Sequence, residues 1–371
     1  MSGSYVQRGI PAITDKYTRT KMALSAGADI VLELPTIYAT ASAEFFAYGA
    51  IQILDSLNCV NSICFGSECG NVSMLNDIAH ILQDEPMEYK HSLTQYLRMG
   101  YTFPDARQHA ISQMFSDDLQ YTDLLKSPNN ILGIEYLKSL KRLKSTINPV
   151  TIKRQGAGYH EETLNQHISS ASAIRAAIAN HSNEDMKQQI PIVSYPYWES
   201  AFGKSLPVSI DDFSNLLYYK LLKTSTHELE SYLDSNPDIS KRIQNLLPEF
   251  TNISEFTQLL NTKNMTYARL SRILLHILLD IYKEDIKQTV APYARILGFQ
   301  KEASHLLRHA REQGQCSLIT KVADAPNILT EAQMNRFQLD IHSTHLYNHI
   351  VYSKFHHRIK DEYRQNIIIQ K

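Results

Sequence analysis

Two patterns of apolar and polar positions divide the chain. In the first, stretches of helical period alternate with short apolar runs. KYTRTKMALSAG (16–27) predicts a helix, and ADIVLELP (28–35) a short buried strand. TASAEFFAYGAIQILDSL (40–57) predicts a second helix and NSICFGSE (61–68) a second strand. From MLNDIAHILQ to NNILGIEYLKSLKRLK (74–144) the chain reads as helical. NPVTIKRQ (148–155) is a third strand, and SSASAIRAAIANH (169–181) a further helix. Alternation of this kind predicts an α/β fold, a parallel sheet wound on both faces by helices. Ligands of such sheets sit beyond the carboxyl ends of the strands, which makes the loops PTIYATAS, GSECGN and QGAGYHEE the edge of any site.

The second pattern begins near residue 207 and is helical throughout: DDFSNLLYYKLLK, THELESYLD, SKRIQNLLPEF and ISEFTQLLN. In TYARLSRILLHILLDIYKEDI, residues Leu270, Ile273, Leu274, Ile277, Leu278 and Ile281 form one apolar stripe at helical spacing. The expected organisation is an α/β domain over 1–190, a linker over 191–206 containing the only tryptophan, Trp198, and an α-helical domain over 207–371. Only three strands fall within 1–190, and the chain opens in a loop that feeds a helix. A doubly wound sheet ordinarily opens with a strand, a phosphate-side turn and a helix.

Composition narrows the class. With 43% hydrophobic and 20% charged residues, the 371-residue chain is globular rather than disordered. Lys plus Arg total 37 against 38 for Asp plus Glu, a net charge of −1, so contact with nucleic acid requires a local patch. The opening residues hold no apolar signal segment, and ILLHILLDI is too short and too polar to span a membrane. Cys59, Cys64, Cys69 and Cys316 fit neither a zinc pattern nor a disulfide framework, which points to a reducing cytoplasm.

Several constellations could carry chemistry. Ser169 and Ser170 precede a helix whose free amides can bind an anion, and Arg175 lies within reach of that end; a capped surface helix is the plainer reading. Asn129 and Asn130 stand before a helix, either as a turn and cap or as contacts to a base or ribose. Gly66, just after a strand, admits a close backbone approach to a ligand or simply makes a turn. Arg154, at the end of the third strand, points to the same rim and suits a phosphate, a purine face or an ion pair. Lys138, Lys141 and Arg142 can share a helix face, as can Arg269, Arg272 and His276. Each stripe is an RNA-phosphate contact or a solvated, ion-paired face. His342, His345 and His349 could line one helix face, but no carboxylate or cysteine completes a metal motif.

Taken together, MSGSYVQRG, KYTRTKMALSAGADIVLELP, FGSECG, SPNNILG, RQGAGYH, SSASAIR, TYARLSRILLHIL, YARILGF and ITK resemble, in order and spacing, the bacterial tRNA(Met) cytidine acetate ligases. These are a branch of the HIGH-motif nucleotidyltransferase superfamily. The resemblance implies a Rossmann-like (HUP-type) sheet and activation of acetate by ATP as acetyl-adenylate. The acetyl group then passes to the wobble cytidine of elongator tRNA(Met) in the cytoplasm. It implies ATP contacts from Gly66, from one or both of Asn129 and Asn130, and from Arg154, with Ser169, Ser170 and Arg175 on the phosphate side. Mg²⁺ accompanies ATP in this reading, and Lys138, Lys141, Arg142, Arg269 and Arg272 are the candidate tRNA contacts. The family's opening strand and HxGH-like loop have no counterpart in these 371 residues. The expectation is therefore an N-terminally incomplete sheet, from a start codon placed too late or a shortened product. The alternatives are a tRNA-binding remnant without turnover and another adenylyl-transfer enzyme of the superfamily.

Overall fold

The computed structural model describes residues 1–116, 118–155, 169–179, 187–263 and 265–371. Helix α1 (Lys16–Ser25) is capped by Asp15, whose Oδ1 accepts from the amides of Tyr17 and Thr18 at 3.0 and 2.9 Å. It leads into β1 (Ile30–Glu33), α2 (Ala43–Ser56) and β2 (Ser62–Ser67). Three helices follow: α3 (Val72–Asp84), α4 (Met87–Arg98) and α5 (Phe103–Met114). Then come α6 (Pro128–Leu143), β3 (Asn148–Lys153), α7 (Ala171–Ala179) and α8 (Tyr195–Ala201).

All three expected strands form, and β2 and β3 pair in parallel from Ser62↔Asn148 to Ser67↔Lys153. One face of this pair is covered by α2, α3 and α6 through Ile51, Ile63, Leu75, Ile78, Ile134 and Leu137. Strand β1 takes a different partner. After the helices α9 (Ser214–Lys223), α10 (Pro237–Leu246), α11 (Ile253–Leu260) and α12 (Tyr267–Leu279), the chain enters β4 (Tyr293–Gln300). β1 lies antiparallel to β4, with Ile30 opposite Phe299 and Glu33 opposite Arg295. The other edge of β4 takes β5 (Ser317–Ile319) and, beyond the long helix α13 (Glu331–Phe355), β6 (Ile368–Gln370), both in parallel.

The second half is thus mostly helical but also contributes three strands that its helical reading did not include. YARILGFQ carries no period-2 signal because it is a central strand, buried without a break from Tyr293 to Gly298. The apolar stripe of α12 behaves as its spacing predicts: Leu270, Ile273, Leu274, Ile277, Leu278 and Ile281 all enter the largest core, beside Phe213, Leu217, Tyr5 and Ile37.

A buried ionic network runs through the four-stranded sheet. Lys16 Nζ lies 2.8 Å from Glu33 Oε1 and 3.0 Å from Glu362 Oε2, and it also donates to Thr344 Oγ1 at 3.1 Å. Arg295 pairs with Glu362 and sits 4.0 Å from Glu33, while the Tyr17 hydroxyl donates to Glu362. Burial pulls Lys16 down to about 8, against the attraction of Glu33. Burial alone would raise the Glu33 carboxyl, but Lys16 and Arg295 outweigh it and hold it below its ordinary value. Beside the network, Asp340 accepts from the Thr36 amide at 2.6 Å and the Tyr293 hydroxyl at 2.7 Å. Burial, aided by the Glu33 charge, lifts Asp340 from 3.8 to about 6 against those two bonds.

Two predictions follow from these buried charges. Lys16→Met strands Glu33 opposite one distant cation, and urea unfolding is expected to register a loss of about 3–5 kcal/mol. Asp340 binds its proton more tightly folded than unfolded, so its contribution is complete below about pH 4 and is lost as pH rises through 6. Relative to Asp340→Asn, the wild-type protein is expected to lose about 2–2.5 kcal/mol between pH 4 and pH 7. A pH-independent difference would contradict the assignment.

Candidate functional site

The carboxyl ends of β2 and β3 meet the N-terminus of α6, and three sequence motifs become one structure there. The amide of Arg154 donates to the Ser67 carbonyl at 2.9 Å, extending the parallel ladder by one rung past β3. Gly66 then lies beside the stem of Arg154, whose Cγ would be 3.4 Å from a β-carbon at that glycine. The Arg154 side chain is exposed at this rim. Gly70, at φ +65, turns the loop back so tightly that a β-carbon would meet Lys153 Cβ at 2.5 Å. Ser67, fully buried, ties the turn by accepting from the Gly70 amide at 3.0 Å and bonding Thr151 Oγ1 at 2.7 Å.

The loop and the helix hold each other reciprocally. Glu68 caps α6: its Oε2 accepts from the Asn130 amide at 2.8 Å, and its Oε1 from the Asn129 amide at 3.3 Å and Asn129 Nδ2 at 2.7 Å. A carboxylate at a helix N-terminus satisfies free amides and complements the helix dipole. In return Asn130 Oδ1 accepts from the amides of Glu68 and Cys69 at 2.9 and 3.2 Å. Asn130 is buried and its acceptor is spent inside the protein, whereas Asn129 is only half-buried beside the rim. Sequence reasoning did not single out Glu68, because its partners stand 61 and 62 residues away and no local spacing signals that pairing.

The serine and arginine motif lies on another element. Ser170 is the N-cap of α7, its Oγ accepting from the Ala173 amide at 3.0 Å, with Ser169 half-buried before it. Ile174, Ala177 and Ile178 seat α7 in a cluster with Ile13, Met22, Trp198 and Leu206, so it packs toward α1 and α8. Arg175 is half-buried in its second turn. The residues following Gln155, with the glycines and the tyrosine-histidine pair of RQGAGYH, lie outside the described residues.

The basic residues divide. Arg269 donates to the Asp234 carbonyl at 3.0 Å, and Arg272 pairs with the Asp234 carboxylate at 2.8 Å, so both brace the turn before α10. His276, on the same stripe, is fully buried between the carbonyls of Leu233 and Thr40, and burial lowers its pKa. Lys141 bonds Asp84 at 2.7 Å and His80 at 2.8 Å. Lys138 donates to Glu135 at 2.8 Å, and the Arg142 guanidinium lies 4.5 Å from the Tyr48 ring centre. Of the histidines on α13, His345 meets Asp361 at 3.2 Å. Among the described residues no three His, Cys, Asp or Glu side chains converge on a metal site.

Comparison with known proteins agrees with this architecture. The model of the HIGH Nucleotidyl Transferase family matches residues 1–362. A tRNA(Met) cytidine acetate ligase of Clostridium novyi is 39% identical over 94% of this chain and 86% of its own. One from Clostridium acetobutylicum is 40% identical over 100% of this chain and 91% of its own. The crystal structure of Thermotoga maritima TmcAL superposes with a TM-score of 0.94 at 28% identity, covering 100% of this chain and 91% of that one. A second form, bound with alpha-thio ATP, gives 0.90 at the same identity and coverage.

The reciprocal clamp separates the two asparagines experimentally. Asn130→Ala leaves two loop amides without their acceptor and is expected to cost about 1–3 kcal/mol in urea unfolding. Asn129→Ala, at a half-buried site, is expected to cost less than that. Equal losses would mean that the loop does not depend on Asn130.

Proposed function

This chain belongs to the HIGH nucleotidyl transferase family, and from that premise we infer that it is an ATP-dependent tRNA(Met) cytidine acetate ligase. The observation that carries the reading is the rim beyond β2 and β3, where Gly66, Arg154 and the N-terminus of α6 converge in a parallel α/β framework. Acetate attacks the α-phosphorus of ATP, the bond to pyrophosphate breaks, and acetyl-adenylate forms. The exocyclic amine of the cytidine then attacks the acetyl carbonyl, loses a proton and expels AMP. Neither step needs an enzyme nucleophile, since alignment of the reactants and stabilisation of phosphate charge supply the acceleration.

Residue roles follow from position. Gly66 lets the nucleotide approach the backbone, and Asn129 offers its partly exposed amide at the same rim. Asn130 supports the contact from behind by holding the loop in place. Arg154 places a guanidinium against the phosphates or the purine. Ser169, Ser170, Arg175 and the amides of α7 receive the phosphate side. A divalent ion such as Mg²⁺, if bound with ATP, would supply charge neutralisation at the phosphates that Arg154, Ser169, Ser170 and Arg175 receive. The division into an ATP-binding part over 1–190 and a tRNA-facing helical part over 207–371 belongs to the same proposal. So does cytoplasmic residence, where tRNA and ATP are found.

The full chain, incubated with ATP, isotopically labelled acetate and elongator tRNA(Met), is expected to yield labelled acetylcytidine on nucleoside mass spectrometry. No labelled nucleoside would sink the ligase reading. Arg154→Ala is expected to slow acetate-dependent pyrophosphate release about 10²-fold while leaving tRNA affinity unchanged.

A further inference from the structure

Past the first turns of α6, helices α2, α3, α4, α5 and α6 line a cavity of about 450 Å³. Its wall carries three cations from two helices. Lys138 and Arg142 come from the last turns of α6, and Arg107 comes from α5. Arg107 is the unusual member. Its Nε and Nη2 are buried and have no hydrogen-bond acceptor, and Nη2 is still 3.6 Å from the nearest carboxylate oxygen, on Glu135. A buried guanidinium with unfilled donors costs free energy unless an acceptor arrives to meet them. Glu135 cannot fill that role fully, because its other oxygen is held by Lys138 at 2.8 Å.

Charge and shape describe the missing acceptor. Three cations share the wall with three carboxylates, Glu135, the exposed Glu44 and Glu85, and Glu85 is also met by Lys90 from outside the cavity at 3.5 Å. The Arg142 guanidinium lies over the Tyr48 ring, 4.5 Å from its centre. At the mouth Phe103 is 56% exposed, and Tyr101 stands next to it on the α4–α5 turn, 43% exposed. Cations that receive a phosphate, beside exposed aromatic faces on which a base can lie, are the combination that holds unpaired nucleic acid.

We propose that this cavity is a phosphate subsite for the RNA substrate, in which Arg107, Lys138 and Arg142 receive a backbone phosphodiester and Phe103 and Tyr101 support an adjacent base. The proposal rests on the tRNA-ligase reading and adds to it a place where the RNA is gripped. Along α6, Lys138 and Arg142 stand 9 and 13 residues past Asn129, about 14 and 20 Å at 1.5 Å per residue. α6 therefore sets the distance between reacting base and anchored backbone.

The test is binding of fluorescently labelled elongator tRNA(Met) to the full chain across a series of KCl concentrations, for wild type, Lys138→Gln/Arg142→Gln and Arg107→Gln. Loss of the subsite is expected to weaken binding about 5- to 20-fold at low salt. It should also flatten the slope of log affinity against log salt by about 0.7–0.9 for each phosphate contact removed. Affinity for alpha-thio ATP should stay unchanged in all three, and Arg107→Lys should recover part of the loss. Unchanged tRNA affinity and slope in both variants would overturn the subsite while leaving the ligase reading intact. Stabilisation of wild type but not Arg107→Gln by inorganic phosphate, with equal tRNA binding by both, would also overturn it by assigning the cavity to a free anion. Failure of the wild-type chain to bind tRNA would overturn both.

Discussion

The ionic network of Lys16, Glu33, Arg295 and Glu362 is the constraint on which the rest of the fold hangs. Its four members come from α1, β1, β4 and the short turn before β6, and all are almost wholly withdrawn from water. Desolvating four charges is expensive, and each pair offsets that cost only while the other is in place. The arrangement therefore favours one geometry over near alternatives more than it adds net stability. It places the antiparallel contact of β1 with β4 in register, since Glu33 and Arg295 are directly opposite one another.

The rim beyond β2 and β3 is built on a smaller version of the same idea. Glu68 and Asn130 each satisfy backbone amides of the other's segment, so the loop after β2 and the start of α6 are positioned as a unit. Such a clamp leaves little freedom for the exposed groups it carries. Arg154 and Asn129 can then meet a ligand without first paying to be ordered. The basic residues of α12, by contrast, are committed to Asp234 and hold the helical half together.

Legibility in the sequence followed the range of the interaction concerned. The helices and the strands of 1–155 showed because apolar spacing is a local property, and the stripe on α12 predicted its buried face residue by residue. β4 was not read as a strand because burial on both faces erases the alternation that marks one. The choice of partner for β1 was hidden for a different reason: nothing within ten residues of Ile30 records that Phe299 lies opposite. The order and spacing of motifs singled out Gly66, Asn129, Asn130 and Arg154, which the fold brings to one rim, and the geometry then distinguished the buried asparagine from the half-buried one. Glu68 and Arg107 escaped notice, since a lone acidic or basic residue on a helix or loop says nothing until its partners, or the lack of them, are seen in space.

The reach of the buried network also has a bearing on how the chain acquires its shape. Lys16 meets Glu362 across 346 positions, and β1 waits for β4, so early segments hold charged groups whose counter-ions are synthesised near the end. Contacts of such separation are slow to form, because a large loop must close before they contribute. The parallel pair β2–β3 with α2, α3 and α6 can assemble as soon as residue 153 has emerged. The four-stranded sheet must come last. A ribosome-bound chain would thus carry an assembled β2–β3 rim while its first helix was still open to solvent, making that interval the one most dependent on chaperones.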